Sequence, residues 1–238
     1  MLERLKKEVC DANLRLVREG LVVRTWGNAS GLDRGRGLMV IKPSGVPYRG
    51  MRPHHMVVVE LGSGRVVGGA LRPSSDAPTH RVLYEAFGGI GGIVHTHSLY
   101  ATAWAQARKS IPPLGTTHAD YFAGPVICTR PLSPEEIAAE YEANTGRVIV
   151  ECLVGMDPLV NPAVLVASHA PFTWGEDTAA AVECAAILEH VAQLASETMA
   201  IIPSSIPIPE VLLQKHFHRK HGPGASYGQG EQKRRSRR

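Results

Sequence analysis

Short apolar runs, each closed by Gly, Pro, Ser or His, are spread along the whole chain between helical patterns of varying length. Three of them, "LMVI" at 38–41, "VVVEL" at 57–61 and "GIVH" at 92–95, are typical of β-strands. The strand and helix patterns are interspersed without strict alternation. This order predicts an α/β layered fold built around a mixed sheet.

Several local patterns predict individual elements. Apolar residues at steps of three and four predict an amphipathic helix from Leu2 to about Gly20. Residues 21–33, "LVVRTWGNASGLD", read as a strand that runs into a Gly/Asn/Ser turn. Residues 133–146 carry a capping box and an apparent terminating glycine, so they predict one helix, and "RVIVECLV" at 147–154 predicts a strand after it. A long helix is predicted from Thr178 to about residue 202.

Composition limits the class of protein. With 238 residues and 44% hydrophobic residues, the chain can bury the core of one domain. The net charge of +4 comes from residues 231–238, because the rest of the chain carries 21 basic and 21 acidic residues. We therefore expect a domain over residues 1–229 and a basic, disordered tail over 230–238, with no nucleic-acid partner.

Location is indicated by the cysteines and by the first residues of the chain. The four cysteines are widely separated and form no CxxC motif, which argues against a disulfide framework and against a cysteine zinc site. The first twenty residues carry charges where a signal peptide has its apolar region. We expect a cytoplasmic protein without membrane contact.

Two histidines one residue apart follow the strand pattern at 92–95. Side chains alternate along a strand, so His95 and His97 should point to the same side, with Cα atoms ~6.6 Å apart. Imidazoles at that separation can converge on one metal ion. The pair could equally be two polar residues facing water at a strand end.

A third histidine and an aspartate could complete such a site. His169 follows another apolar run, at a strand end where the active sites of open α/β sheets gather. Asp76 lies in the loop "PSSD", where it could be a metal ligand or could cap the helix that Pro78 begins. Three imidazoles and a carboxylate suit Zn²⁺, although Mn²⁺, Co²⁺ and Ni²⁺ can use the same donors.

Small polar turns form a second theme. Glycine lets an anion approach the backbone, while serine and asparagine donate hydrogen bonds. Lys42 could add a positive charge. If they converged, the turns would make a phosphate pocket, although each alone is an ordinary turn signal. The three small polar turns are "WGN" at 26–28, "PSG" at 43–45 and "PSS" at 73–75.

The motifs together resemble the L-ribulose-5-phosphate 4-epimerases of the class II, metal-dependent sugar-phosphate aldolase/epimerase family. The resemblance runs in order over residues 1–229 and departs only in the basic tail. It is carried by "TWGNASGLD", "VIKPSGV", "MVVVEL", "RPSSDAPTH", "GGIVHTHSLYAT", "GTTHADYFAG", "SHAPFTWG" and "KHFHRKHGPGASYGQ".

The resemblance implies a largely antiparallel central sheet flanked by helices on both faces, and a homotetramer with active sites between subunits. It implies Zn²⁺ bound by Asp76, His95, His97 and His169. Catalysis would use Asp120 and Tyr227, the latter from a neighbouring chain, with His216 as an accessory group. The implied reaction interconverts L-ribulose 5-phosphate and D-xylulose 5-phosphate in arabinose or ascorbate catabolism. The implied substrate and phosphate contacts are Gly27, Asn28, Lys42, Ser44, Gly45, Ser74 and Ser75.

Other functions compete with this interpretation. An aldolase of the same family, acting on a compound such as L-fuculose 1-phosphate, would carry a glutamate base where this chain has Asp76. A metal-dependent hydrolase also uses His-X-His, but it needs a longer barrel and further ligands. A binding protein with a structural metal and a polybasic nucleic-acid-binding tail is the non-enzymatic alternative. The shorter carboxylate and the motif "THADYF" favour the epimerase.

Overall fold

The computed structural model describes residues 2–221 and 225, so Tyr227 and the basic tail lie outside the described residues. One eight-stranded sheet has the order β4-β3-β2-β1-β5-β8-β7-β6. All its pairings are antiparallel except that between β6 and β7. The strands are β1 (Asn28–Asp33), β2 (Leu38–Ile41), β3 (Val57–Glu60), β4 (Val66–Gly68), β5 (Gly92–His95), β6 (Ile127–Cys128), β7 (Ala163–Leu165) and β8 (Pro171–Gly175).

Eight α-helices accompany the sheet within the described residues. None of the described helices combines the length and the apolar character needed to cross a membrane. The helices are α1 (Leu2–Arg18), α2 (Ala77–Ala86), α3 (Leu99–Gln106), α4 (Thr116–Ala119), α5 (Pro134–Ala138), α6 (Tyr141–Cys152), α7 (Thr178–Ile201) and α8 (Glu210–His221).

Both faces of the sheet are covered, as the sequence predicted. Alternate residues of one strand join different clusters: Ile93 packs with α2 and α6, whereas Val94 packs with α1 and α7. The same division separates Met39 from Val40 on β2. Side chains on a strand alternate between faces, so this pattern requires helices on both sides. The predicted mostly antiparallel sheet between two helical layers is confirmed.

The first strand lies later than the sequence predicted. Residues 21–27 are irregular, and "NASGLD", read as a turn, forms β1 between β2 and β5. Gly31 explains why a glycine stands inside this strand. A Cβ there would lie 2.8 Å from Leu5 of α1 and 2.9 Å from Thr178 of α7. The glycine lets two helices pack directly on the strand.

The segment 133–154 was also partly mispredicted. The capping box of Ser133 and Glu136 is present, but the helix that it begins ends at Ala138. A second helix, α6, then includes Gly146 and most of the segment predicted as a strand. A Cβ at Gly146 would lie 2.7 Å from Val82 and 3.1 Å from the Thr79 carbonyl of α2. Gly146 therefore permits close helix packing and does not end a helix.

Gly92→Ala should severely destabilise the protein. An added Cβ would lie 2.4 Å from the Asp177 carbonyl oxygen and 2.5 Å from the Thr178 nitrogen, and backbone atoms cannot rotate away. We expect a loss of about 3 kcal/mol in the free energy of unfolding, measured by urea titration. Gly88→Ala is the matched control, because no atom lies within 4 Å of its Cβ position. Equal midpoints for the two variants would contradict this packing argument.

Candidate metal and anion site

One edge of the sheet collects the polar side chains that the sequence singled out. Asn28 opens β1 opposite His95, the last residue of β5. His95 in turn faces Phe172 of β8, and Lys42 directly follows β2. Antiparallel pairing thus brings strand ends from four distant segments to one place. A cavity of about 420 Å³ lies there, lined by Thr25, Trp26, Gly27, Asn28, Lys42, Ser44, Gly45, Ser74, Ser75, Asp76, His95, His97, Tyr141, Glu142 and His169.

Three histidines meet in this cavity. One ring nitrogen from each of His95, His97 and His169 lies within 4.8 Å of the others. The Nε2 atoms of His95 and His97 are 3.2 Å apart. Only His95 belongs to a strand, since β5 ends there. His97 follows in the irregular residues 96–98, and its ring nevertheless lies on the same side as that of His95, as predicted.

Neighbouring groups fix the orientation of these rings. The His95 Nδ1–H donates to the Pro171 carbonyl at 2.9 Å, which leaves Nε2 unprotonated in the neutral ring and directed at the cluster. Phe172 stacks on the His95 ring with centroids 4.2 Å apart. His169 lies in the turn between β7 and β8, after Ser168, whose φ is +62°. The Nδ1 atom of His169 is buried without a hydrogen-bond partner among the described residues.

The donor set fits a divalent metal ion. Burial and the neighbouring imidazoles lower the pKa of His97, and they lower that of His169 to about 4. Both rings are therefore neutral near pH 7, as metal ligation requires. Three imidazoles with nitrogens this close are the usual set for Zn²⁺ with an open coordination position.

Asp76 does not cap α2. It stands at the N-cap position, yet its side chain makes no capping hydrogen bond. Its Oδ2 instead accepts from Asn28 Nδ2 at 2.6 Å and from the Ser74 hydroxyl at 3.4 Å. Of the two roles that the sequence left open, the helix cap is excluded. The carboxylate lines the cavity, but it is not part of the cluster of histidine nitrogens.

The three small polar turns, whose convergence the sequence left open, line one cavity. Pro43 forms an isolated bridge with Pro73, and the Ser74 N–H donates to the Lys42 carbonyl at 2.9 Å. This pairing joins "PSG" to "PSS" in space. Gly27 has φ +95°, and a Cβ there would lie 3.0 Å from the His95 carbonyl. Burial lowers the pKa of the Lys42 ammonium to about 8. A cationic amine that shares a cavity with serine hydroxyl groups and glycine turns suits a phosphate group.

The structure adds cavity residues that the sequence analysis missed. Thr25 and Trp26 precede the glycine turn, and Tyr141 and Glu142 begin α6. The Trp26 ring lies 6.3 Å from that of His97, and the Tyr141 ring lies 6.2 Å from that of His169. Tyr141 and Glu142 were hidden because "YEANTG" was read as the middle of one helix, not as the start of a second one.

Asp120 and His216 lie elsewhere on the described chain. The cavity lining among the described residues contains neither of them. Asp120 follows α4 and accepts hydrogen bonds from His216 Nδ1 at 2.9 Å and from Arg219 at 3.0 Å, both on α8. Burial opposes ionisation, but His216, Arg219 and Lys220 together lower the pKa of Asp120. Asp120 is thus a carboxylate at neutral pH, and it borders a second, open depression beside α7.

A buried polar chain behind Asp76 predicts acid sensitivity. His80 Nδ1 bonds the Ser30 hydroxyl at 2.7 Å, which bonds Tyr84 OH at 2.9 Å. Burial lowers the pKa of His80 to about 3, whereas the unfolded value is about 6.5. The unfolded state therefore binds more protons between these values, and stability falls as pH drops. Urea midpoints of chelated protein should show a loss of about 3 kcal/mol from His80 between pH 7 and 4.

Comparison with His80→Asn isolates the contribution of His80. The acidic groups add the same pH dependence to the stability of the wild type and of the variant, so it cancels in the difference. The wild type should lose more stability than the variant over the same interval. Parallel curves would contradict the role of the buried neutral imidazole.

Comparison with known proteins agrees with this geometry. Residues 7–196 match the family model described as the class II aldolase and adducin N-terminal domain. The chain is 54% identical over 228 residues to L-ribulose-5-phosphate 4-epimerase UlaF of Salmonella paratyphi C, covering 96% of this chain and 100% of the relative.

Solved structures show the same fold. An L-fuculose 1-phosphate aldolase superposes with TM-score 0.75 at 25% identity, over 89% of this chain and 95% of that one. L-fuculose 1-phosphate aldolase from Glaciozyma antarctica PI12 gives TM-score 0.75 at 19% identity, over 91% and 81% of the two chains. The resemblance seen in the sequence motifs is confirmed: the chain belongs to the class II aldolase and adducin N-terminal domain family.

Proposed function

We propose that the protein is a zinc-dependent L-ribulose-5-phosphate 4-epimerase that produces D-xylulose 5-phosphate. The observation that carries the proposal is the cavity, in which three convergent imidazoles lie beside an anion pocket of serine and glycine turns. The 54% identity to a relative named as this epimerase, over its full length, supports the same substrate. The ligands proposed for the ion are His95, His97, His169 and Asp76.

The chemistry explains why such a cavity is needed. The C4–H bond is not acidified by an adjacent carbonyl, so simple proton exchange cannot invert C4. Cleavage of C3–C4 solves this problem. A base removes the C4 hydroxyl proton, the bonding electrons pass to C3, and an aldehyde and an enediolate form. The aldehyde turns over, C3 attacks its other face, and an acid returns the proton to oxygen. Bound in the cavity, a divalent cation would supply the electrophile that stabilises the enediolate oxygens.

The anion pocket keeps the fragments together. The phosphate belongs to the aldehyde fragment, which would otherwise diffuse away between cleavage and re-addition. Lys42 and the turns at Gly27, Ser44 and Ser74 can bind the phosphate while the rest of that fragment rotates. Asn28 already donates to Asp76, so it holds that carboxylate beside the reacting atoms.

Proton transfer is assigned to Asp120 and Tyr227, with His216 as accessory. Asp120 is ionised, and His216 holds one of its oxygens, so it can accept a proton. Asp120 lies outside the cavity of its own chain. This favours an assembly in which the cavity of each chain receives Asp120 from a neighbouring subunit. We propose that this assembly is the homotetramer expected from the sequence. The cytoplasmic location is proposed on the four free cysteines, which fit a reducing compartment.

Turnover tests the proposal directly. Zinc-loaded protein should convert L-ribulose 5-phosphate to D-xylulose 5-phosphate. A coupled assay measures the rate of product formation. Chelation should lower the rate by at least about a thousandfold, and added Zn²⁺, Mn²⁺ or Co²⁺ should restore it. Full activity in rigorously demetallated protein would refute the metal role. Rapid cleavage of L-fuculose 1-phosphate, without epimerisation of the pentose, would assign the aldolase activity instead.

A further inference from the structure

Tyr48 lies behind the anion pocket without lining it. It follows the turn "PSG" and is only 6% exposed, packed among Val40, Met51 and Met56. A tyrosine in such a core needs a partner for its hydroxyl group. The partner that it uses connects it to the proposed phosphate site.

The Tyr48 hydroxyl donates to the Gly27 carbonyl at 2.7 Å, with the Trp26 carbonyl further away at 3.3 Å. Gly27 holds a left-handed φ of +95°, and its Cβ position is closed by Val22 and by the His95 carbonyl. The bond therefore fixes the backbone of the turn "WGN" beside the His95 carbonyl.

The face of the same ring supports Lys42. The Lys42 ammonium lies 4.9 Å from the Tyr48 ring centroid, while its hydrogen bonds to the Thr25 and Pro43 carbonyls are long, at 3.4 and 3.3 Å. Lys42 is 2% exposed, so little water solvates the charge. A π-face at this distance stabilises a desolvated cation. Tyr48 thus contacts two phosphate-binding elements that are 15 residues apart in sequence.

We propose that Tyr48 is a positioning residue for phosphate binding, which holds the Gly27 turn through its hydroxyl group and the Lys42 ammonium through its ring. The inference rests on the proposed function of the cavity as a sugar-phosphate site. The hydroxyl group and the ring of Tyr48 contribute separately, and two substitutions can remove these contributions one after the other. Tyr48→Phe removes the hydrogen bond and keeps the ring, whereas Tyr48→Leu removes both.

Titration calorimetry with inorganic phosphate tests the proposal on the full chain. Zinc-loaded and chelated samples separate phosphate bound to the ion from phosphate bound by the turns. We expect the phosphate Kd to rise about fivefold in Tyr48→Phe and roughly thirtyfold in Tyr48→Leu. KM for the sugar phosphate should rise in parallel, with kcat changed less. Zinc content should stay at the wild-type level.

A double-mutant cycle shows whether the ring acts through Lys42. In a Lys42→Met background, Tyr48→Leu should weaken phosphate binding only about fivefold, because the cation that the ring supports is gone. Tyr84→Phe is the matched control. It removes a hydroxyl group from another buried tyrosine, one that bonds Ser30 and touches neither turn. Its phosphate Kd should equal that of the wild type.

Any of these results from the variants would overturn the inference: an unchanged phosphate Kd in both Tyr48 variants, an undiminished Tyr48→Leu effect without Lys42, or an equal loss in Tyr84→Phe. Wild-type protein that binds no phosphate would overturn it as well. Wild-type protein that binds phosphate but does not epimerise the pentose counts against the proposed function alone, because the affinity is measured without turnover.

Discussion

Replacing His97 by Asn should abolish metal binding and lower turnover of L-ribulose 5-phosphate by at least about a thousandfold. The three nitrogens at His95, His97 and His169 lie within 4.8 Å of one another, and the shorter amide cannot take the place of the imidazole. Stabilising an enediolate is worth several kcal/mol, and each 1.36 kcal/mol is a factor of ten in rate. Zinc content by atomic absorption and kcat by coupled assay are the measurements.

Removing this imidazole should leave the folded chain intact. His97 lies after β5, and its polar contact with the sheet is the 3.2 Å approach of its Nε2 to that of His95, whereas His95 also donates to the Pro171 carbonyl. His54→Asn, at a histidine in the 3-10 turn 53–55 away from the cavity, is the matched control. A His97→Asn protein that kept both its zinc and its turnover would refute the proposed centre.

Asp120→Asn should lower kcat by about 10²- to 10⁴-fold while zinc content and phosphate affinity stay unchanged. The amide cannot accept a proton, and general acid–base steps contribute factors of this size. The substitution keeps the shape of the side chain, and the amide oxygen can still accept from His216 Nδ1 and from Arg219, which both donate to Oδ1 of Asp120. Steady-state kinetics on the zinc-loaded variant provide the test. A variant with wild-type kcat would remove Asp120 from the mechanism.

Mixing two inactive variants tests whether Asp120 serves a neighbouring subunit. Sites between one chain's histidines and the next chain's Asp120 would be repaired when His97→Asn and Asp120→Asn subunits assemble together. After joint refolding at equal amounts, about a quarter of the sites in a cyclic oligomer should be intact and should restore about a quarter of wild-type activity. No recovery in a mixed assembly would place Asp120 in its own chain's site or outside catalysis.

The three histidines of the proposed metal site could be read from the sequence because each follows a recognisable strand signal. Strand ends gather at one edge of a sheet, so His95, His97 and His169 were expected to meet, and they do. The three small polar turns were also recognised from local sequence, but only as separate motifs. The bridge of Pro43 to Pro73 that joins two of them depends on residues 30 positions apart, and no local pattern reveals it.

The sequence predictions failed where the residue type is required by a contact with a segment distant in sequence. Gly31 and Gly146 look like a turn residue and a helix terminator, but each is a glycine because another element packs directly on its backbone. Tyr141 and Glu142 were not predicted to line the cavity, because only the break between α5 and α6 turns the start of α6 toward it.

The sequence by itself determined the family, the layered fold and the residue types of the site, because local hydrophobic periodicity and short motifs encode them. Only the tertiary structure decided that Asp76 bonds Asn28 without capping a helix, that Tyr48 reaches both Gly27 and Lys42, and that Asp120 lies apart from the cavity of its own chain. These are contacts between segments remote in sequence. They are fixed by which strands pair and which helices pack, not by the preferences of neighbouring residues.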